Sequence, residues 1–260
     1  MFLSFLKRLI PTALKRPIKR VLGLPERRLH TDWQLLERIG PVAGPHVVID
    51  VGAHHGWFFH CWRDWCPGAI VHAFEPTPVS YARCKELYGS EQNTFLIEAA
   101  VGSTAGSAEL HLLAESEVSN SLLVPRAATW DALEYRTGSI EKVAVRILTL
   151  DEYLSSCDLE EIFLLKIDVQ GFEMEVLKGA EASLSRIDYI FVESGIRPLY
   201  EGGARFSEVF DYLIAHGFHL IGQRAWHTGD FALVEADLLF RRNELLPRVE
   251  PQTERIYESI

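Results

Sequence analysis

From His46 onward the chain alternates short apolar runs with stretches of helical spacing, and this alternation restricts the fold more than any other feature of the sequence. Val47–Val51, Ile70–Phe74, Thr94–Ile97, Ile162–Ile167, Tyr189–Glu193, Phe218–Ile221 and Leu238–Phe240 have the length of strands. Trp57–Trp65, Val79–Tyr88, Phe172–Leu184 and Phe206–His216 lie between them as helices, the last closed by Gly217. Continuous apolar strands joined through helices belong to a mostly parallel sheet with helices on both faces, here of seven strands in an α/β, Rossmann-like arrangement. TDWQLLERIG ahead of the first strand reads as a lead-in helix, capped by Thr31 or Asp32 and ended by Gly40. AELHLL and VAVRIL alternate with period two, which predicts a small antiparallel β insertion before the fourth core strand. The connection between them, residues 114–142, contains SEVSNSLLVP and is long enough to be a substrate-side lid; an ordinary exposed loop is the alternative.

A chain of 260 residues with 48% hydrophobic content can bury one full core. The expected organisation is a basic amphipathic arm over 1–30, one catalytic domain over 31–242 and a tail over 243–260. A formal charge of −10 argues against general nucleic-acid binding, which needs clustered cations. The charge is uneven, with about +7 on residues 1–28 and about −17 on the rest. Lys7 and Arg8 interrupt the apolar start MFLSFLKRLI, so it does not read as a secretory signal, and no run reaches transmembrane length. Phe2, Phe5, Leu6, Leu9, Leu14 and Ile18 fall at helical spacing, broken by Pro11 and Pro17. Residues 1–24 therefore suit either peripheral contact with an anionic membrane, at about 1 kcal/mol per Lys or Arg, or packing on protein. Four irregularly spaced cysteines favour a reducing compartment, which places the chain in the cytoplasm, at the inner face of the membrane if the arm binds there. CWRDWC raises a metal site, but Trp62 and Trp65 read as a buried helix face, and no metal is assigned.

VVIDVGAHHGW, residues 47–57, places Asp50, Gly52 and Gly56 at the carboxyl end of the first strand, where open parallel sheets bind ligands. A dinucleotide there calls for G-x-G-x-x-G and disfavours an acid facing its pyrophosphate. GAHHG lacks the second glycine of that pattern. S-adenosylmethionine has an amine and a sulfonium and no phosphate, so Asp50 becomes an attraction of roughly 1.5–3 kcal/mol through a charge-assisted hydrogen bond. Glu75, at the end of VHAFEP, stands where a carboxylate accepts the ribose hydroxyls. Ala99, Ala100 and Val101 suit a wall against the adenine or ordinary core. A tight turn and a strand-end cap remain the structural alternatives for the glycines and acids taken singly.

VVIDVGAHHG, VHAFEP, EAAVGSTAG, VRILTLDEY and FLLKIDVQGFEMEVLKGA, in that order over residues 46–242, resemble the FkbM-type methyltransferases. The resemblance implies the class I methyltransferase Rossmann-like fold and S-adenosylmethionine-dependent O-methyl transfer. It puts Asp50, Gly52, Ala53 and Gly56 on the cofactor loop, Glu75 with Pro76 at the ribose, and Asp168 beside the transferable methyl group. His54 stands where many relatives have Asn, and Gln170 where Glu is commoner, which leaves Asp168 and Glu173 as the surviving carboxylates of the most specific block.

Methyl transfer to oxygen is an in-line displacement in which alignment supplies roughly 7–11 kcal/mol and a general base only some 3–5 kcal/mol. Asp168 is the first candidate base, because an apolar strand end would desolvate it; capping the next helix is the alternative. His54 and His55 are further candidates. Glu193 ends the fifth strand, where it either holds an acceptor hydroxyl or is an ordinary strand-end acid. Lys166 is expected to point elsewhere in the pleat as an ion-pair partner. The resemblance favours a saccharide or glycolipid acceptor. A natural-product alcohol, an inactive cofactor-binding scaffold and a dinucleotide oxidoreductase are the alternatives, and the oligomeric state is not legible.

Overall fold

The computed structural model of the chain describes residues 31–39, 42, 44–133, 138–157, 159–197, 199–227 and 233–245. The arm over 1–30 and most of the expected tail lie outside the described residues. A seven-stranded sheet contains β1 (His46–Val51), β2 (Ala69–Phe74), β3 (Thr94–Ile97), β7 (Ile162–Ile167), β8 (Ile187–Gly195), β9 (Phe218–His227) and β10 (Leu233–Arg242), in the order β3-β2-β1-β7-β8-β10-β9. The first five in that order run parallel, and β10 is antiparallel to both neighbours. β4 (Ala100–Val101), β5 (Gly106–Leu113) and β6 (Ile140–Leu148) form a separate small sheet, with β5 antiparallel to β6 as the period-two runs predict.

The helices are α1 (Trp57–Trp65), α2 (Pro78–Tyr88), α3 (Ala127–Ala132), α4 (Leu150–Ser156), α5 (Glu173–Lys178) and α6 (Phe206–Ala215). Strand alternation sends Val48, Val71, Leu164 and Phe191 to one face, where Phe59, Trp62 and Trp65 of α1 cover them. Ile49, Phe74, Leu165, Ile167 and Val192 go to the other, under Leu154, Val176 and Leu213. The two tryptophans of CWRDWC are thus core, and Cys61, Cys66, Cys84 and Cys157 are all free thiols.

Two elements differ from expectation. The lead-in segment Thr31–Ile39 is a 3-10 helix. Trp33, Leu36 and Ile39, three residues apart, all pack on the α1 side of the core, and a three-residue repeat aligns on one face only in that tighter helix. The side chains of Thr31 and Asp32, expected to cap it, and Gly40, expected to end it, lie outside the described residues. The helix expected over Phe172–Leu184 stops at Lys178 and resumes as a 3-10 turn, Glu181–Arg186. Gly179 there lies against backbone, since a Cβ would come within 2.1 Å of the Gly102 carbonyl oxygen. Asp151 of α4 accepts hydrogen bonds from Ala182 N at 3.0 Å and Ser183 Oγ at 2.5 Å, which holds the second piece apart from the first.

The order reverses at β1, whose neighbours β2 and β7 leave by opposite faces, so a crevice opens beyond their carboxyl ends. The connection after β5 crosses that crevice. It contains a 3-10 turn, Glu117–Ser119, and α3, whose Trp130 is buried and donates to Leu199 O at 2.9 Å.

Candidate active site

At the crevice, β1 ends in a turn that only glycine can make. Gly52 has φ +80°, and a Cβ on it would sit 1.8 Å from the Asp168 carbonyl oxygen. The close backbone approach is therefore between the ends of β1 and β7 as well as towards a ligand. Gly56, with φ +78°, begins α1, and a Cβ there would overlap Phe59 and Tyr88. Its glycine is demanded by packing.

Lys166 corrects the expectation that it faces away from the site. Residues 166 and 168 are two apart and share a face of β7, so the Lys166 ammonium lies beneath Asp168. It contacts Asp50 Oδ1 at 3.1 Å and Asp168 Oδ2 at 3.6 Å, and donates to Gly52 O at 2.7 Å. Burial alone would lower the ammonium, but Asp50 and Asp168 hold it above its ordinary value. Burial raises the Asp50 carboxyl, and the ammonium opposes this; with the two atoms 3.1 Å apart, the charged pair is the state the geometry supports. Asp50 is fully buried and is absent from the cavity wall; its contact is with Lys166, which also donates to Gly52 O. Asp168 lines the cavity with its side chain 38% exposed, so the desolvation expected at the end of an apolar strand does not occur.

Glu75 is buried at the end of β2, with both oxygens directed by backbone: His54 N donates to Oε2 and Thr77 N to Oε1, each at 2.7 Å. Burial raises this carboxyl, and the two N–H groups pull it back. Each oxygen keeps a second lone pair. Glu75 lines the same cavity as Gly52, Ala53, His54, Pro76, Ala100 and Val101. Gly56 and Glu193 stand outside it.

Beyond Asp168 the chain makes a second left-handed turn, Gln170 at φ +56° and Gly171 at +97°. The Gln170 amide nitrogen donates to Asp168 Oδ1 at 3.1 Å and to Glu193 Oε2 at 2.8 Å. The amide can donate to both acids at once, which an ionised carboxylate at that position could not do. Tyr200 Oη lies 3.0 Å from Gln170 Oε1 and 2.9 Å from Ser119 O, and Ser121 Oγ donates to Gln170 O at 2.7 Å, so the same turn holds the crossing connection down. Glu193 faces a second, smaller cavity with Glu173, Tyr200 and Glu235; burial and Asp168 raise its carboxyl well above the usual range. Glu173 starts α5 and accepts from Gly171 N at 2.8 Å, clamping the turn from inside the protein.

Sequence reasoning missed several wall residues. Trp33 comes from the lead-in turn, Asn120 and Ser121 from the crossing connection, Phe58 from α1 and Phe172 from the α5 entry. Lys166 carried a signal in its spacing from Asp168, and Asn120 and Ser121 lie in the connection read as a lid.

The cavity at the β1, β2 and β7 ends has a volume of about 260 Å³, just under the usual range of small-molecule sites. A family model described as the methyltransferase FkbM domain matches residues 50–220. The chain belongs to the FkbM methyltransferases. It is 29% identical over 218 residues to the 2-O-methyltransferase NoeI of Sinorhizobium fredii, with 81% of this chain and 83% of that protein covered. It is 30% identical over 217 residues to methyltransferase sdnD of Sordaria araneosa, with coverages of 73% and 80%. To the 31-O-demethyl-FK506 methyltransferase FkbM of Streptomyces tacrolimicus it is 24% identical over 217 residues, with coverages of 76% and 82%. This FkbM-family protein is an S-adenosylmethionine-dependent methyltransferase with the class I fold, and the dinucleotide reading falls away. The residues fit the donor: each Glu75 oxygen keeps a lone pair that could accept a ribose hydroxyl, and the small side chains of Ala99 and Ala100 would leave room for a flat base.

Proposed function

We propose that the enzyme methylates a hydroxyl of a saccharide or glycolipid. The observation that carries this reading is Asp168, a solvent-accessible carboxylate at the end of β7 that opens into the donor cavity, with Asn120, Ser121 and Gln170 along the same wall. Bound S-adenosylmethionine supplies a methyl group activated on a sulfonium. Glu75 accepts the ribose hydroxyls, and the Gly52 turn sets the distance between the β1 and β7 ends. Asp168, held by Gln170 and Lys166, accepts the hydrogen bond of the incoming hydroxyl and takes its proton as the new carbon–oxygen bond forms. Alignment by this fixed carboxylate and by the crossing connection is the larger contribution. The similarity to a 2-O-methyltransferase supports the oxygen acceptor.

Incubation with methyl-labelled donor and separate fractions of oligosaccharides, glycolipids and hydroxylated natural products tests this. Label should enter the saccharide or glycolipid fraction as an ether. Label confined to natural-product alcohols would transfer the acceptor to that class, and no turnover with any fraction would favour a non-catalytic scaffold. Among the described residues no helix is long and apolar enough to cross a membrane. We further propose that the basic arm, residues 1–24, brings the enzyme to the inner face of an anionic membrane where such acceptors lie. Liposome sedimentation of the full chain should exceed that of a version lacking the arm and should fall with salt.

A further inference from the structure

His54, His55 and Glu117 converge at the mouth of the donor cavity in a way that the transfer reaction does not require. We propose that these three side chains bind a divalent transition-metal ion of the Zn²⁺ type, and that the ion ties the crossing connection to the loop after β1. The inference uses only the chain's own donor atoms and does not depend on the identity of the methyl acceptor.

The three ligand atoms lie within 4.8 Å of one another. Glu117 Oε1 is 3.6 Å from His54 Nε2 and 3.3 Å from His55 Nε2. Two donors bound to one tetrahedral ion at about 2.0–2.1 Å stand about 3.3–3.4 Å apart, so both separations are close to those around a single zinc. The longer one exceeds a hydrogen bond, and His54 Nε2 is enclosed by protein with no hydrogen-bond partner.

The backbone explains how consecutive histidines reach one point. In extended chain, neighbouring side chains diverge. His54 instead has φ +49°, and the two imidazoles stack with centroids 3.8 Å apart and planes 25° from parallel. His54 N is fixed to Glu75 Oε2, so the unusual turn is anchored from below. On the opposite side, buried Ser80 of α2 donates to Glu117 Oε1 at 3.0 Å, orienting the carboxylate as outer partners of metal ligands do. Two imidazoles and one carboxylate suit zinc, cobalt or nickel better than magnesium or calcium. The His55 and Glu117 side chains are about a third to a half exposed, so an ion can enter from their side. His54 and Glu117 both line the donor cavity, which places the ion where it would hold residues 117–119 across the opening.

Cobalt(II) is the probe, added to the full-length protein after removal of metals by chelator. Visible d–d absorption should saturate at one equivalent with the intensity of a four-coordinate site, and zinc should displace it. Glu117→Gln changes an exposed side chain, and His54→Asn keeps a residue that tolerates positive φ, so both should melt like the wild type without metal. Each should weaken cobalt binding by at least about 100-fold, beyond the usual effect of removing an outer partner. Absence of saturable uptake by the wild type would overturn the proposal. So would equal uptake by both variants, which would locate the ion elsewhere, for example at cysteine thiols.

Discussion

Glu173 offers the most quantitative check on how the site is built. It is buried to 2% exposure, one oxygen accepts the Gly171 N–H, and the other has no hydrogen-bond partner. Burial is the main reason that its pKa stands at about 8 against an ordinary 4.5. Below pH 4.5 the acid is protonated folded and unfolded, and it costs nothing. Between 4.5 and about 8 the unfolded chain releases a proton that the native state keeps, so stability falls by about 1.4 kcal/mol per pH unit. Above pH 8 the loss levels at about 5 kcal/mol, and at pH 7 it is about 3 kcal/mol. Glu173→Gln retains an oxygen for Gly171 and removes the titration. Its unpaired amide costs a constant of about 1–3 kcal/mol. The difference in unfolding free energy between variant and wild type, from urea titrations at pH 5 and pH 8, should therefore shift in favour of the variant by about 4 kcal/mol. Parallel pH profiles for the two proteins would refute the assignment of a neutral, buried Glu173.

If Asp168 is the proposed base, Asp168→Asn should reduce turnover by about 10²–10⁴-fold while titration calorimetry shows donor affinity within a few-fold. Glu75→Ala should instead weaken donor binding by at least about tenfold, the loss of a hydrogen bond to a charged group, and leave two backbone N–H groups unpaired. Gly52→Ala should be destabilised by several kcal/mol and bind donor poorly, since the new Cβ meets the Asp168 carbonyl at 1.8 Å; a thermal melt and calorimetry would show both. Lys166→Met should cost about 3–5 kcal/mol by denaturant titration, because it abandons Asp50 as a lone buried charge, and a loss under 1 kcal/mol would argue against that pair.

The apolar runs and their spacing determined the parallel sheet, its two covered faces and the antiparallel insertion, because burial of strand and helix faces is written locally in periodicity two and periodicity near four. The chain also announced the carboxyl ends of β1, β2 and β7 as the place for a ligand, since Asp50, Glu75 and Asp168 each close an apolar run. What each acid does there depended on register and distance. Asp50↔Lys166 register across β1 and β7 puts the buried Asp50 against the ammonium that also lies beneath Asp168. The contacts of Gln170 with Glu193, and of Glu117 with His54 and His55, join residues 23 to 63 positions apart in the chain. Local pattern encodes which residues are buried, but electrostatic partnership acts over a few ångströms, and only the folded backbone brings those groups within that range.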